Sequence, residues 1–240
     1  EECTKRGIKV SNVPDYCSAT LSEFVFSMII NLTRDIFLAD KHVEEGGWDF
    51  ALFKGVELRG KKIGIIGAGS NGAAVIRIAQ GYGMKALVYT HNPTNDKAKE
   101  LGIPDFVSLE QLLKDSDFIT VHVPLNKQTF HMLGENEFKQ MKPGVYFINT
   151  ARGAIVDSNA LYSSLENERL AGVALDVLEE SEPIEMSNVS DITRKIVQHP
   201  RSIVTPHIAF CSEESMQRLS EVSVGNIEAF LKGEPRNIVN

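Results

Sequence analysis

Long apolar runs are missing from this chain of 240 residues. The longest, Phe24 to Leu32, is too short to span a bilayer and no signal peptide precedes it, so neither membrane insertion nor export is expected. Basic runs are missing as well. With a formal charge of -7 the chain has nothing to set against a phosphate backbone, and no nucleic-acid partner is expected. Cysteine is scarce: Cys3, Cys17 and Cys211 cannot all pair and show no CxxC spacing. That excludes a disulfide framework, speaks against a structural metal and points to a reduced, cytoplasmic setting. Repeats, low-complexity tracts and a clear linker are also lacking, and Glu1-Glu2 without an initiator Met suggests that something upstream is absent. What remains is 42% hydrophobic and 24% charged, the make-up of an ordinary globular chain.

The stretch from Lys61 to Tyr82, KKIGIIGAGSNGAAVIRIAQGY, organises the rest. Ile63, Ile65 and Ile66 form an apolar run of strand length. Glycines follow at Gly67, Gly69 and Gly72 in a GxGxxG spacing. From Ser70 and Asn71 onward the period changes, with Val75, Ile78, Ala79 and Tyr82 at helical spacing. Strand, glycine turn and helix are the context that a dinucleotide site requires. Gly67 permits the tight turn, Gly69 leaves room for a pyrophosphate, and Gly72 lets the helix lie near the strand with its N-terminal amides toward the phosphates.

Gly7 to Val13 reads as a strand without a companion. Ser18 to about His42 reads as one helix, with Thr20 and Glu23 spaced as a capping box. Trp48 is expected to serve packing. Further strands are predicted at Ala86–Tyr89, Asp105–Val107, Phe118–Val123, Val145–Asn149, Ala171–Val177 and Ser202–Thr205, most of them separated by helical stretches. Ser108 is placed to cap a helix with Gln111 three residues on. An amphipathic helix from Ser212 to Lys232 ends before Gly233 and Pro235. Nearly continuous apolar strands alternating with helices predict an α/β fold, a doubly wound parallel sheet covered on both faces.

In such a sheet ligands bind beyond the carboxyl ends of the strands. There the sequence offers Val123-Pro124, then Thr150-Ala151-Arg152-Gly153, then the acidic run Glu179-Glu180-Ser181-Glu182-Pro183, and finally Pro206-His207. Hydride transfer from a hydroxyl-bearing carbon also releases a proton, and histidine is the side chain whose ordinary range suits it to take that proton near neutrality. Arg152 offers a planar fork for a carboxylate. Each has a structural counterpart: Arg152 as a surface ion-pair partner, the acidic run as a solvated loop, His207 as a satisfied loop histidine. Their convergence above a dinucleotide loop favours the chemical reading. Cys211, four residues past His207, could touch the cleft or serve as a small apolar residue.

The blocks GIKVSNVP, LRGKKIGIIGAGSNG, FITVHVPLNKQT, MKPGVYFINTARGAIVD, LAGVALDV and VTPHIAF, in this order, resemble the D-isomer-specific 2-hydroxyacid dehydrogenases, in particular the D-lactate and D-2-hydroxyisocaproate branch. The resemblance implies a Rossmann NAD(P)-binding domain over residues 18–207 with a dimerisation helix and arm. It also implies remnants of a second, flavodoxin-like substrate domain in residues 1–17 and 208–240. It implies a homodimer, a small 2-oxo or 2-hydroxy acid substrate, no metal, and an Arg, Glu, His triad: Arg152 on the substrate carboxylate, His207 as acid and base, Asp176 on the nicotinamide carboxamide.

Three departures from the family pattern qualify this. The acidic run carries one residue more than usual, so Glu182, next to Pro183, is taken as the triad carboxylate with Glu180 in reserve. The acid expected about 20 residues past the glycine loop, where it would hold the adenosine ribose, is replaced by Thr90 and His91. NAD is favoured, because no arginine stands nearby, and NADP is not excluded. Finally, roughly 100 residues of a substrate domain are missing before Gly7, so the 240 residues are expected to bind dinucleotide but to turn over 2-oxo acids poorly or not at all. Alternatives are a dinucleotide-sensing module like the C-terminal-binding corepressors, or a phosphoglycerate, glyoxylate or hydroxypyruvate dehydrogenase.

Overall fold

A computed structural model describes residues 2–180 and 185–240. Its helices are α1 (Glu2–Lys5), α2 (Ser18–Arg34), α3 (Ile36–Glu44), α4 (Ser70–Gly81), α5 (Asn95–Glu100), α6 (Leu109–Asp115), α7 (Glu135–Gln140), α8 (Ser158–Glu166), α9 (Asp191–Gln198) and α10 (Glu213–Leu231). The strands are β1 (Lys62–Ile66), β2 (Lys85–Tyr89), β3 (Phe118–Val121), β4 (Val145–Asn149), β5 (Leu170–Leu175) and β6 (Ser202–Val204). All pair in parallel in the order β2-β1-β3-β4-β5-β6.

The strands read as nearly continuous apolar runs because both faces are covered. Successive side chains point to opposite faces, so β1 sends Ile63 and Ile65 into a core with Val25 and Ile29 of α2 and Val75 and Ile76 of α4. Ile66, Ile119, Val121 and Phe147 enter a second core with Leu112, Phe138, Leu161 and Leu165. Burying each such side chain fully contributes about 1.5–3 kcal/mol.

Register places the site. Ile66 pairs with Tyr89 and Val121, Val121 with Asn149, Asn149 with Leu175, and Leu175 with Val204. The strands therefore end level, and the next residues, Gly67, Thr90, His122, Thr150, Asp176 and Thr205, share one rim. From β1 the chain goes first to β2 on one side and then to β3 on the other, so the order reverses beside β1 and opens a crevice there.

Several expectations change. The single helix from Ser18 breaks at Asp35, which adopts the left-handed conformation (φ 50°) that Asp tolerates better than most residues. Thr20 makes no capping box; its hydroxyl lies 2.9 Å from that of Ser212 at the start of α10. Gly7 to Val13 forms only a bridge, Ser11 with Ile238, and Phe106 only a bridge with Val88. Trp48 is 90% exposed, so it does not pack within this chain. Ser108 accepts from the Gln111 amide as expected.

Candidate active site

Beside β1 the rim holds a cleft of about 610 Å³ whose walls include Gly69, Ser70, Asn71, Val123, Pro124, Thr150, Ala151, Arg152 and His207. Gly67 has φ +109°, and a Cβ there would strike the His122 carbonyl. A Cβ on Gly72 would run into the Gly67 carbonyl oxygen. A Cβ on Gly69, by contrast, would meet nothing within 4 Å. Gly69 is the N-cap of α4 and provides no side-chain cap, so the first amides of the helix are left for a ligand.

The wall after β4 is set by Asn149. Its Oδ1 accepts from the Ala151 amide at 3.0 Å and its Nδ2 donates to the Arg152 carbonyl at 3.0 Å. The Thr150 hydroxyl is buried and has no partner among the described residues. A buried hydroxyl without a partner, open space over Gly69 and uncapped helix amides are what a polar, phosphate-bearing cofactor would complete. Arg152 is exposed, and its Nη1 donates to the Ala151 carbonyl at 2.6 Å.

His207 sits at φ 53°, its amide donating to the Asp176 and Thr205 carbonyls, each at 3.0 Å. Asp176, 1% exposed, accepts from the Thr205 hydroxyl at 2.6 Å, the Ile208 amide at 2.9 Å and the Ala209 amide at 2.7 Å. Hydrogen bonds to a charged group contribute about 1.5–3 kcal/mol each, so this carboxylate anchors the loop that carries His207. It lies beneath that loop and is not among the cleft-lining residues. Thr90 and His91 follow β2 on the rim, outside the cleft lining.

Glu182 lies outside the described residues. Its reserve, Glu180, has Oε1 bound by the amide and hydroxyl of Ser190, at 3.1 and 2.9 Å, at the N-cap of α9. Burial raises the Glu180 pKa, but hydrogen bonds from Thr193 and Ser190 outweigh it and leave the group below the ordinary carboxylate range. Among the described residues no cluster of His, Cys, Asp and Glu could hold a metal ion, and no helix is long and apolar enough to cross a membrane.

Sequence reasoning missed Tyr16, Cys17 and His122, which also line the cleft. For His122 the signal was its place directly after β3. Burial pushes the Tyr16 hydroxyl pKa up, with Cys17 adding to this and Arg152 opposing it. His122 bonds Thr120 through Nε2 at 2.9 Å, and burial pushes its pKa down to about 3. An unfolded histidine titrates near 6.5, so below about pH 6.5 the unfolded state binds the proton first. Stability is then complete above that value and falls as pH drops toward 3, by at most about 1.4 kcal/mol per pH unit. His122 retains some accessible surface, so the slope falls short of that limit. A His122→Gln chain is expected to flatten the pH dependence of urea-derived stability between about pH 6.5 and 4. An unaltered slope would place the effect elsewhere.

A parallel sheet with a glycine turn, an uncapped helix and an Arg and a His on one rim defines the class: a Rossmann-type oxidoreductase domain that binds a nicotinamide dinucleotide. Residues 26–209 match the D-isomer specific 2-hydroxyacid dehydrogenase, NAD binding domain family. The chain is 40% identical over 248 residues to a glyoxylate reductase of Thermococcus litoralis, spanning 100% of this chain and 72% of that protein. It superposes with TM-score 0.89 and 35% identity on D-lactate dehydrogenase from Aquifex aeolicus complexed with NAD and lactic acid, covering 97% of this chain and 72% of that one. D-2-hydroxyisocaproate dehydrogenase is similar at TM-score 0.87 and 32% identity, covering 98% and 73%. The chain belongs to the D-isomer specific 2-hydroxyacid dehydrogenases. It is an NAD-dependent oxidoreductase acting on CH–OH donors.

Proposed function

We propose that the cleft interconverts a short 2-oxo acid and its D-2-hydroxy acid, of the D-lactate or 2-hydroxyisocaproate type. The observation that carries this is the meeting of the Gly69–Asn71 turn, the Thr150–Arg152 loop and His207 around one cleft. Ser70 and Asn71 hold the pyrophosphate at the start of α4, while Val123, Pro124, Thr150 and Ala151 line the path toward the nicotinamide. The bound nicotinamide supplies or accepts the hydride. Arg152 holds the substrate carboxylate through its planar fork. His207 donates a proton to the carbonyl oxygen during reduction and withdraws it from the hydroxyl during oxidation. Glu182 is the proposed partner of the other imidazole nitrogen, since Glu180 is engaged by Ser190. Asp176 acts by holding the His207 loop, and any contact with the carboxamide would come in addition.

Thr90 and His91 bring no carboxylate against a 2′-phosphate, so NADPH is expected to bind beside NADH, with NADH the tighter. Arg152 is exposed, and a carboxylate bound there stays partly solvated, which weakens the attraction. The 240 residues are therefore expected to bind NADH and to reduce 2-oxo acids slowly. Steady-state NADH oxidation with pyruvate, 2-oxoisocaproate, glyoxylate and hydroxypyruvate, followed by chiral analysis of the product, tests the reading. An L-product, or no NADH binding at all, would refute it. Best turnover with glyoxylate would favour the second reading, which the name of the Thermococcus litoralis relative supports.

Residues 8–12 clasp the C-terminus through Asn12 to Asn237 and Val239 to Val10 backbone bonds. Ile227, Phe230 and Leu231 of α10 are exposed beside them. This supports assigning 1–17 and 208–240 to a substrate domain apart from the dinucleotide domain. A homodimer through the α2–α3 arm is supported by Phe37 at 63%, Trp48 at 90% and Phe50 at 93% exposure, a concentration of aromatic surface that a lone chain rarely leaves in water. Sedimentation should give a dimer, shifted to monomer by Phe50→Glu; a monomer throughout would refute it. A cytoplasmic setting fits the free state of all three cysteines.

A further inference from the structure

We propose that His131 and Glu179 form a positioning pair for the Arg152 loop and so for the nicotinamide end of the cleft. This rests on the dehydrogenase reading given above. The two residues stand 48 apart in sequence, yet His131 Nε2 lies 2.6 Å from Glu179 Oε1. The second carboxylate oxygen accepts from the Ser158 amide at the start of α8, at 3.0 Å. Both oxygens are thus engaged, and neither Glu179 nor His131 is among the cleft-lining residues.

The pair closes a bracket around the loop. On one side the His131 amide donates to the Ala154 carbonyl at 2.9 Å, the Leu133 amide to Ile155 at 3.2 Å and the Asp157 amide to Leu133 at 3.1 Å. On the other side Gly153 lies against the Leu178 backbone so closely that a Cβ would collide with its carbonyl. Residues 153–157 are held between these two segments, and the imidazole–carboxylate contact ties the segments to each other. The bonds of Arg152 itself are local: its Nη1 donates to the Ala151 carbonyl, and its own carbonyl accepts from Asn149 Nδ2 and the Ile155 amide. Its direction into the cleft therefore depends on where the bracket holds Gly153. The His131 ring is fixed in turn by its stack on Phe130, centroids 4.1 Å apart, and by a left-handed backbone at φ 49°.

A pair whose side chains are 32% and 30% exposed adds little to global stability. Its effect is local, and that separates it from a packing role. His131→Phe keeps the ring stack and removes Nε2, whereas His131→Gln restores an N–H donor near the same place. Both variants lose whatever histidine contributes to the left-handed backbone, so the difference between them isolates the donor.

The test measures Kd for ADP-ribose and for NADH on the full chain, the first ligand lacking nicotinamide. His131→Phe is expected to hold ADP-ribose within about two-fold of the unsubstituted chain and to weaken NADH by about five- to ten-fold, and His131→Gln to recover most of that loss. The positioning role fails alone if His131→Phe binds both ligands normally, loses both in proportion, or is no worse than His131→Gln. If the unsubstituted chain binds neither ligand, or gains nothing from nicotinamide, the dehydrogenase reading of the cleft fails and the inference falls with it.

Discussion

Replacing His207 by asparagine is expected to lower NADH-dependent 2-oxo acid reduction by roughly two to four orders of magnitude, the usual contribution of a positioned acid or base. NADH affinity should stay within about two-fold, because the variant touches no phosphate contact. Asparagine is the informative choice because residue 207 lies at φ 53°, a conformation Asn tolerates, so backbone strain does not confound the result. The scaffold beneath should survive, since Asp176 holds Ile208 and Ala209 through their amides and the residue 207 amide bonds Asp176 and Thr205 whatever its side chain. Stopped-flow and steady-state rates at several pH values check this. Undiminished turnover would move the acid–base function to another group. A corepressor-like sensor would keep partner binding in the same variant and show no rate to lose.

The fold was legible where local chemistry and tertiary need agree. β1, the glycine turn and α4 carry their signal in sequence because close backbone approach admits no substitute for glycine at 67 and 72. The positions of Thr150, Arg152 and His207 followed from one rule about strand ends, and the register ends β3, β4, β5 and β6 level, so that the residues following them share one rim. What stayed hidden depends on contacts made far along the chain. The Asp35 break does not interrupt the apolar pattern, which runs on into Phe37 and Leu38 because those residues are exposed for a reason outside helical periodicity. Trp48 looked like a packing residue for the same cause. The Gly7–Val13 segment has strand-like composition but finds only residues 237–239 beside it. The resemblance implies a nicotinamide contact for Asp176; its bonds to a hydroxyl and two amides from residues about thirty positions on are visible only in three dimensions. Glu179 stood out only as the first residue of the acidic run, and its pairing with His131, 48 positions away, had no signal in spacing.

The glycine turn supplies the second large effect, and its two glycines should fail in different ways. At Gly72 an added methyl would meet the Gly67 carbonyl oxygen, a backbone atom in the middle of the turn, so the turn itself must move. Gly72→Ala is expected to cost about 1–3 kcal/mol of stability, as overpacking does. It should also weaken NADH by more than about ten-fold, because the α4 amides no longer face the pyrophosphate. At Gly69 the methyl would enter open space, and the backbone there, at φ -72°, suits any residue. Gly69→Ala should therefore leave Tm within about 1 °C and still weaken both NADH and ADP-ribose about ten-fold, roughly 1.4 kcal/mol, by filling the room the pyrophosphate needs. Thermal unfolding and binding measured on both chains separate the cases. Equal loss of Tm would mean that Gly69 is held by contacts within the fold, and unaltered binding in Gly69→Ala would mean that the pyrophosphate does not cross the turn above it.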